Sequence, residues 1–70
     1  MRTYRYRIVI SGELSETNRE EFVDFRIECH GTNTVLVGDL DQAAVFGTLN
    51  RIRALDLELI ALERLPEWMD

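Results

Sequence analysis

Polar and apolar residues alternate along two parts of the chain, with the period of two that is typical of strands in a sheet with unequal faces. The first alternating segment extends from Tyr4 to about Ser11, and the second from Val23 to His30. Two further apolar segments, from Thr34 to about Gly38 and from about Glu58 to Leu65, complete four predicted strands. Pro66 ends the last of them, since proline lacks the N–H that a strand needs.

Helical patterns separate these strands. A short helix is predicted from near Ser15 to about Phe22, with Ser15 or Thr17 as its N-cap. A longer helix is predicted from Asp41, a good N-cap, to about Leu55. Its buried stripe repeats every three or four residues and consists of Val45, Phe46, Leu49, Ile52 and Leu55. Gly47 interrupts this helix, and we expect it to allow a close approach to the sheet.

A repeated turn divides the chain into two similar halves. Gly12-Glu13-Leu14-Ser15 follows the first strand, and Gly38-Asp39-Leu40-Asp41 follows the third. We expect both glycines to allow the bend from strand to helix. The order strand, helix, strand, strand, helix, strand predicts an α+β fold of the ferredoxin-like βαββαβ type. Its four-stranded antiparallel sheet has the order 4-1-3-2, with both helices on one face.

Length and composition limit the possible classes of protein. Seventy residues predict a single domain over 1–70 with a marginal core, in which 66–70 form a short tail that contains Trp68 and Met69. The only Cys and the only His exclude a disulfide and leave no plausible zinc site. The net charge of −5 argues against a general nucleic-acid binder. The absence of a long apolar segment predicts no membrane association and a cytoplasmic location.

The predicted sheet leaves one face without helices. Alternation places an apolar patch at its centre, ringed by Arg5, Arg7, Arg26 and Glu63. The residues proposed for an interface are Val9, Val37, Leu59, Ala61, Arg5 and Arg7. A contiguous apolar patch with a charged rim is typical of an interaction surface. The simplest assembly is a symmetric homodimer. The alternative is that β-branched residues simply suit exposed strands.

Few residues suggest chemistry. Cys29 and His30 are neighbours on a predicted strand, so their side chains point to opposite faces. We therefore predict no catalytic residues, no metal site and no cofactor. RNA recognition by such a sheet uses aromatic residues on the uncovered face, whereas the alternation turns Tyr4 and Tyr6 inward. RNA binding is accordingly the third interpretation.

The chain from Tyr4 to Leu65 resembles known proteins in its pattern, and the motifs that carry the resemblance lie in residues 34–43. Thr34-Val35-Leu36 followed by Gly38-Asp39-Leu40-Asp41-Gln42-Ala43 resembles small uncharacterised bacterial ferredoxin-like proteins. The topology is similar to that of ACT domains, which pair and bind small metabolites such as amino acids at subunit interfaces, and Gly12 lies near their usual loop glycine. We expect a non-catalytic, self-associating or regulatory module. The alternative is a small-metabolite sensor, or an enzyme with an intersubunit pocket.

Overall fold

The computed structural model describes residues 2–67. The predictions for Trp68 and Met69 lie outside the described residues. The elements are β1 (Tyr4–Ser11), α1 (Glu16–Arg19) continued by one 3₁₀ turn (Glu20–Phe22), β2 (Arg26–His30), β3 (Asn33–Leu40), α2 (Gln42–Ala54) and β4 (Leu59–Arg64).

The four strands form one antiparallel sheet in the order β2-β3-β1-β4. The same order is β4-β1-β3-β2 when it is counted from the other edge. With two helices beside this sheet, the predicted α+β fold with a four-stranded antiparallel sheet is confirmed. A two-residue loop joins β2 to β3, and its first residue, Gly31, has a φ of 63°. Glycine at this place is what a type II′ hairpin turn requires.

The core lies on one face of the sheet. Ile8 and Ile10 of β1 and Leu36 of β3 have no exposed surface, and they cluster with Phe22 and Ile52 from the two helical segments. Both segments therefore cover the same face, as the sequence predicts. The rings of Phe22 and Phe25 meet edge to face, with their centroids 6.1 Å apart.

Both predicted helix starts have a side-chain cap. Ser15 Oγ accepts a hydrogen bond from the Asn18 N–H at 3.1 Å, and Asp41 Oδ1 accepts one from the Ala44 N–H at 2.8 Å. Of the two candidates for the first cap, the structure selects Ser15. These bonds satisfy N–H groups that have no partner within the helix.

The two glycines of the repeated turn have different roles. Gly12 has a φ of 82°, in the left-handed region that favours glycine, and it does allow the bend after β1. Gly38, in contrast, lies inside β3, which continues to Leu40. A Cβ on Gly38 would lie 2.9 Å from Cδ1 of Phe25, closer than real Cβ contacts come. The prediction of a bend at Gly38 is therefore wrong, because this glycine makes room for an aromatic ring.

Three other local predictions need correction. Phe46 is 57% exposed because it lies about 100° around α2 from Val45, at the margin of the buried face. Gly47 faces open space and does not approach the sheet. Val23 is 76% exposed and precedes β2. The Phe25 N–H donates to the Phe22 carbonyl at 3.0 Å, so the chain is still turning where alternation predicts a strand.

The two ends of the described chain lie at the same end of the sheet. The Leu65 N–H donates to the Arg5 carbonyl at 2.8 Å, one residue beyond β4. Arg2 and Glu67 form an exposed ion pair at 3.3 Å. Within residues 2–67, neither helix is long and apolar enough to cross a membrane.

Candidate functional site

The face of the sheet opposite the helices, called the open face below, is built from residues that pair across the four strands. Cross-strand partners share a face, so the register identifies its central row. Val9 pairs with Val35 on one side and with Ala61 on the other. Glu28 of β2 pairs with Val35 and ends the row at the edge of the sheet.

A second row crosses the sheet beside the first. Arg7 pairs with Val37 of β3 and with Glu63 of β4, and Val37 also pairs with Arg26 of β2. The two rows together place Val9, Val35, Val37 and Ala61 next to one another. The structure therefore brings together three of the four apolar residues predicted for the patch, Val9, Val37 and Ala61, and adds Val35.

Leu59 does not continue this arrangement. The register shifts between Val9 and Ile10, so that Val9 pairs with Ala61 but Ile10 pairs with Leu59. Ile60 is the extra residue of this β-bulge. Ile10 belongs to the helix-side core, and its partner Leu59 consequently leaves the open-face rows, although Leu59 is 42% exposed. Simple alternation misplaces Leu59 because one inserted residue reverses the faces.

Each predicted arginine of the open face is bound to a carboxylate directly opposite. Arg5 Nε lies 3.0 Å from Asp39 Oδ1, and a second nitrogen of the same guanidinium lies 3.4 Å from Asp39 Oδ2. Arg7 Nη1 donates to Glu63 Oε1 at 2.7 Å. The hydrogen bond from Arg5 holds the pKa of Asp39 below its ordinary value of 3.8.

A three-residue network occupies the β2 edge of the open face. Glu28 accepts from His30 Nε2 at 3.0 Å through one carboxylate oxygen and from Arg26 Nε at 2.8 Å through the other. The hydrogen bond from His30 is the larger cause, and the charge of Arg26 a smaller one, of a pKa for Glu28 below its ordinary value of 4.5. All three residues lie on one side of one strand, since they alternate along it.

The apolar centre of the open face is partly covered by its own neighbours. Val35 is only 1% exposed, yet it is not a member of the helix-side core. Side chains of the open face itself must therefore cover it. Beside it lies a shallow hollow of about 320 Å³, lined by Arg7, Arg26, Val37 and Leu65 among others. The sequence predicts an apolar patch with a charged rim, and in the structure Arg7 and Glu63 lie in the row beside Val9 and Ala61.

Charge on the open face is balanced, although the chain is strongly acidic. Three arginines pair with three carboxylates on this face: Arg5 with Asp39, Arg7 with Glu63 and Arg26 with Glu28. The chain has eight basic and 13 acidic residues in all. The other five arginines and ten acidic residues therefore account for the whole net charge of −5, and they lie outside these pairs.

The thiol and the imidazole, two groups that enzymes often combine, are not brought together in the described residues 2–67. Cys29 pairs with Thr34, whereas His30 pairs with Asn33, so the thiol and the imidazole lie on opposite faces. The described residues contain no group of three potential metal ligands among His, Cys, Asp and Glu. Tyr4 and Tyr6 pair with Leu40 and Gly38 and lie on the helix side. The open face of the described chain consequently lacks the aromatic residues that RNA-binding sheets use.

Sequence reasoning placed Glu63 and Glu28 on the open face but missed Asp39. Asp39 is read as part of a strand-to-helix turn, because β3 is predicted to end near Gly38. Arg5 and Asp39 become cross-strand partners only when β3 is extended to Leu40. The available signal is the alternation of Val35, Val37 and Asp39, which continues the strand period through Gly38.

These features define an α+β domain with an uncovered, charge-balanced sheet face. The family model described as a domain of unknown function (DUF8691) matches residues 5–63. The chain belongs to this family, and the match includes nearly all of the sheet. No curated protein and no solved structure matches the chain.

Proposed function

We propose that this protein is a non-catalytic module that associates with a second copy of itself through the open face. The observation that carries the proposal is the balanced lattice of Arg–carboxylate pairs around Val9, Val35, Val37 and Ala61. Two copies of an acidic chain repel each other over most of their surface. The open face is a neutral region where they can approach, with an apolar centre to bury.

A two-fold axis fits such a face because positive and negative groups alternate across it. In a symmetric dimer, a residue of one copy meets a different residue of the other. Arg7 and Glu63 of one strand pair can therefore exchange partners with the same pair in a second copy. Arginine suits this exchange, since its planar guanidinium donates several hydrogen bonds to carboxylates.

The dimensions of the open face set the strength of the association. A four-stranded sheet with about six residues per strand is about 20 Å wide and about 20 Å long. Face-to-face contact would bury about 800 Å² in total. Stable interfaces of standard size bury at least about 1,200 Å². We therefore propose a weak, concentration-dependent dimer rather than an obligate one.

The fold type and cellular setting are part of the same proposal. We assign the chain to the ferredoxin-like type with ACT-like topology, supported by the order of elements and by the sharing of one core by both helical segments. The exposed thiol of Cys29 fits a reducing, cytoplasmic compartment. The bacterial origin rests on the resemblance carried by residues 34–43.

Val37→Glu tests the dimer, with Val23→Glu as a matched control. Glu at position 37 would lie between Arg7 and Arg26, so the fold tolerates it while the apolar centre is lost. Val23 is 76% exposed and lies outside the sheet, so the same substitution there adds the same charge elsewhere. Sedimentation from about 10 μM to about 1 mM measures association. Wild type and V23E should dimerise and V37E should not. A strictly monomeric wild type at every concentration rejects the proposal.

A small-metabolite sensor is the second candidate, because the hollow on the open face is lined by three arginines. Its volume of about 320 Å³ lies at the small end of ligand pockets. Anionic metabolites such as organic acids or nucleotides would compete with Glu63 and Glu28 for the guanidinium groups. A thermal-shift screen tests this function, since a ligand at 100 times its dissociation constant adds about 2.7 kcal/mol of stability. If no compound raises the melting temperature, the sensor function is rejected and the dimer remains the proposed function.

A further inference from the structure

A group of arginine and tyrosine side chains lies where β1 begins and β4 ends, on the side of the sheet that carries the helices. Tyr6 pairs with Arg64 across β1 and β4, so both side chains share the face that Tyr4 also occupies. Arg2 lies just before β1. Gln42 joins the group because α2 begins with this residue, close to the end of β3 that pairs with Tyr4.

Both guanidinium groups of this cluster lie near one aromatic ring. The Cζ atom of Arg64 is 3.9 Å from the centroid of the Tyr4 ring, and that of Arg2 is 5.1 Å from it. The two Cζ atoms are therefore at most about 9 Å apart. Stacking uses the flat face of a guanidinium group and leaves the N–H groups at its edge available for hydrogen bonds. The ring thus positions two cations without neutralising either of them.

The charge of Arg64 is not used by a carboxylate. On the open face, Arg5, Arg7 and Arg26 each have a nitrogen no more than 3.0 Å from a carboxylate oxygen. Within residues 2–67, in contrast, Arg64 contacts the Tyr4 ring and no carboxylate. Although the chain as a whole has a net charge of −5, this end of the sheet therefore offers a cation to an anionic ligand.

Arg2 has a carboxylate partner that a stronger anion can replace. Its Nη2 atom lies 3.3 Å from Glu67 Oε1, and the two side chains are 76% and 79% exposed. Ion pairs as exposed as this one contribute little to stability. A phosphate monoester carries nearly two negative charges near neutral pH and has three acceptor oxygens, so it can compete with Glu67 for this guanidinium group.

Two hollows adjoin the pair of arginines. The smaller, of about 240 Å³, is lined by Arg2, Tyr4, Tyr6, Gln42 and Arg64. The larger, of about 460 Å³, shares Arg2, Tyr4 and Arg64 with it and is also lined by Leu65, Pro66 and Glu67. Of the described residues that line either hollow, only Glu67 is acidic. The smaller hollow has room for a phosphate group, and the larger has room for the rest of a small molecule.

Neutral hydrogen-bond donors surround the smaller hollow. The Tyr4 and Tyr6 side chains are half-buried, and neither hydroxyl bonds to another of the described residues. The side-chain amide of Gln42 likewise has no hydrogen-bond partner within residues 2–67. Hydroxyl and amide groups can donate to the phosphate oxygens that the arginines leave uncontacted.

We propose that this end of the sheet binds a phosphate monoester of a small molecule, with Arg2 and Arg64 holding the phosphate group. Arginine donates paired hydrogen bonds to phosphate oxygens, and the two tyrosine hydroxyls and the Gln42 amide complete the set of donors. The organic part of the ligand lies in the larger hollow, against Leu65 and Pro66. Because the site is on the helix side of the sheet, it is independent of association through the open face.

Titration followed by NMR tests the site, with phenyl phosphate and inorganic phosphate as probes and sodium chloride at matched ionic strength as the blank. Phenyl phosphate should bind with a dissociation constant of about 1 mM, at least threefold more tightly than inorganic phosphate, because its ring contacts the larger hollow. The signals of Arg64 Nε and of the Gln42 amide should move most. Shifts no larger than those with chloride overturn the proposal. Equal affinity for the two probes overturns the assignment to a monoester.

Arg64→Gln tests the assigned arginine, with Arg53→Gln as a matched control. Arg53 is exposed in the last turn of α2, at the opposite end of this helix from Gln42, and its side chain contacts no carboxylate within residues 2–67. Each substitution removes one positive charge, so the general attraction of anions falls equally. R64Q should weaken binding of phenyl phosphate at least tenfold, and R53Q less than twofold. Equal weakening by both variants overturns the site.

The open-face variant separates this site from the proposed dimer. Val37→Glu should retain the affinity for phenyl phosphate within about twofold, because position 37 lies on the other face of the sheet. If V37E or wild type fails to show the expected change in association while phosphate still shifts Arg64 and Gln42, the dimer fails and this site stands. If phosphate instead shifts Arg7 and Val37, it binds in the open-face hollow, and the site proposed here is rejected.

Discussion

Adding one methyl group at Gly38 should destabilise this domain, whereas the same change at Gly47 should stabilise it. A Cβ at position 38 would lie 2.9 Å from Cδ1 and 3.2 Å from Cε1 of Phe25. Phe25 is only 9% exposed, so its ring has little room to move. Overpacking of this kind costs about 1–3 kcal/mol. A Cβ at Gly47 meets nothing within 4 Å, and alanine gains about 1 kcal/mol over glycine inside a helix.

Urea unfolding and thermal melts of both variants measure the difference. In a domain of this size, 1 kcal/mol shifts Tm by about 4–8 °C. Gly38→Ala should therefore lower Tm by about 10 °C and Gly47→Ala raise it by about 5 °C. Combining Gly38→Ala with Phe25→Leu should recover part of the loss, since the clashing ring is gone. Equal stability of G38A and wild type, or an additive double variant, would refute the role assigned to Gly38.

Three further predictions follow from single contacts. Thr34→Val should cost about 1–2 kcal/mol, since the buried Thr34 hydroxyl donates to the Gly12 carbonyl at 2.7 Å and valine leaves that oxygen unpaired; urea unfolding measures it. Asp41→Ala should cost about 1 kcal/mol through loss of the α2 cap, whereas Asp41→Asn should cost much less in the same assay. The pKa of Glu28 is lowered in the folded protein, so its contribution to stability is present above the ordinary pKa of 4.5 and is lost as pH falls below it. Glu28→Gln should flatten unfolding free energy against pH between about 5 and about 3, and an unchanged slope would show that the hydrogen bond from His30 is unimportant.

The strands and the helix caps could be predicted because they depend on local sequence. Alternation in residues 4–11 reflects one buried and one uncovered face of the sheet, because successive side chains of a strand point to opposite faces. Ser15 and Asp41 precede helices whose first N–H groups need acceptors. These signals are sufficient for the α+β class and for the placement of both helical segments on one face.

Other features depend on packing between distant residues. Gly38 is indistinguishable from a turn glycine until Phe25 is placed above it. The bulge at Ile60 moves Leu59 out of the open-face rows, and because residues 59–62 are all apolar, the sequence does not mark the inserted residue. The pairing of Arg5 with Asp39 requires the register of β1 against β3. Each of these comes from a contact between residues that are at least 13 positions apart in the chain.

The charge balance of the open face also depends on contacts between residues that are distant in the sequence. Val37 and Ala61 were identifiable as uncovered from alternation alone, and Arg5 and Arg7 as their neighbours. Glu63 and Glu28 were identifiable on the open face in the same way, whereas Asp39 was not, because β3 is predicted to end near Gly38. Interface predictions from alternation therefore find the apolar centre and most of the charges. Only the register reveals which carboxylate lies opposite each arginine.

The nearness of the two ends of the described residues, 2 and 67, has a consequence for engineering. β1 begins and β4 ends side by side, joined by the bond from Leu65 to Arg5 and by the Arg2–Glu67 ion pair. A short flexible linker between residues 67 and 2 can therefore close the chain, and the two-residue hairpin loop after His30 can be opened instead. The resulting circular permutant would keep all four strands in place while the hairpin contact between β2 and β3 becomes an encounter of distant segments. Its folding rate would then report how early that hairpin forms.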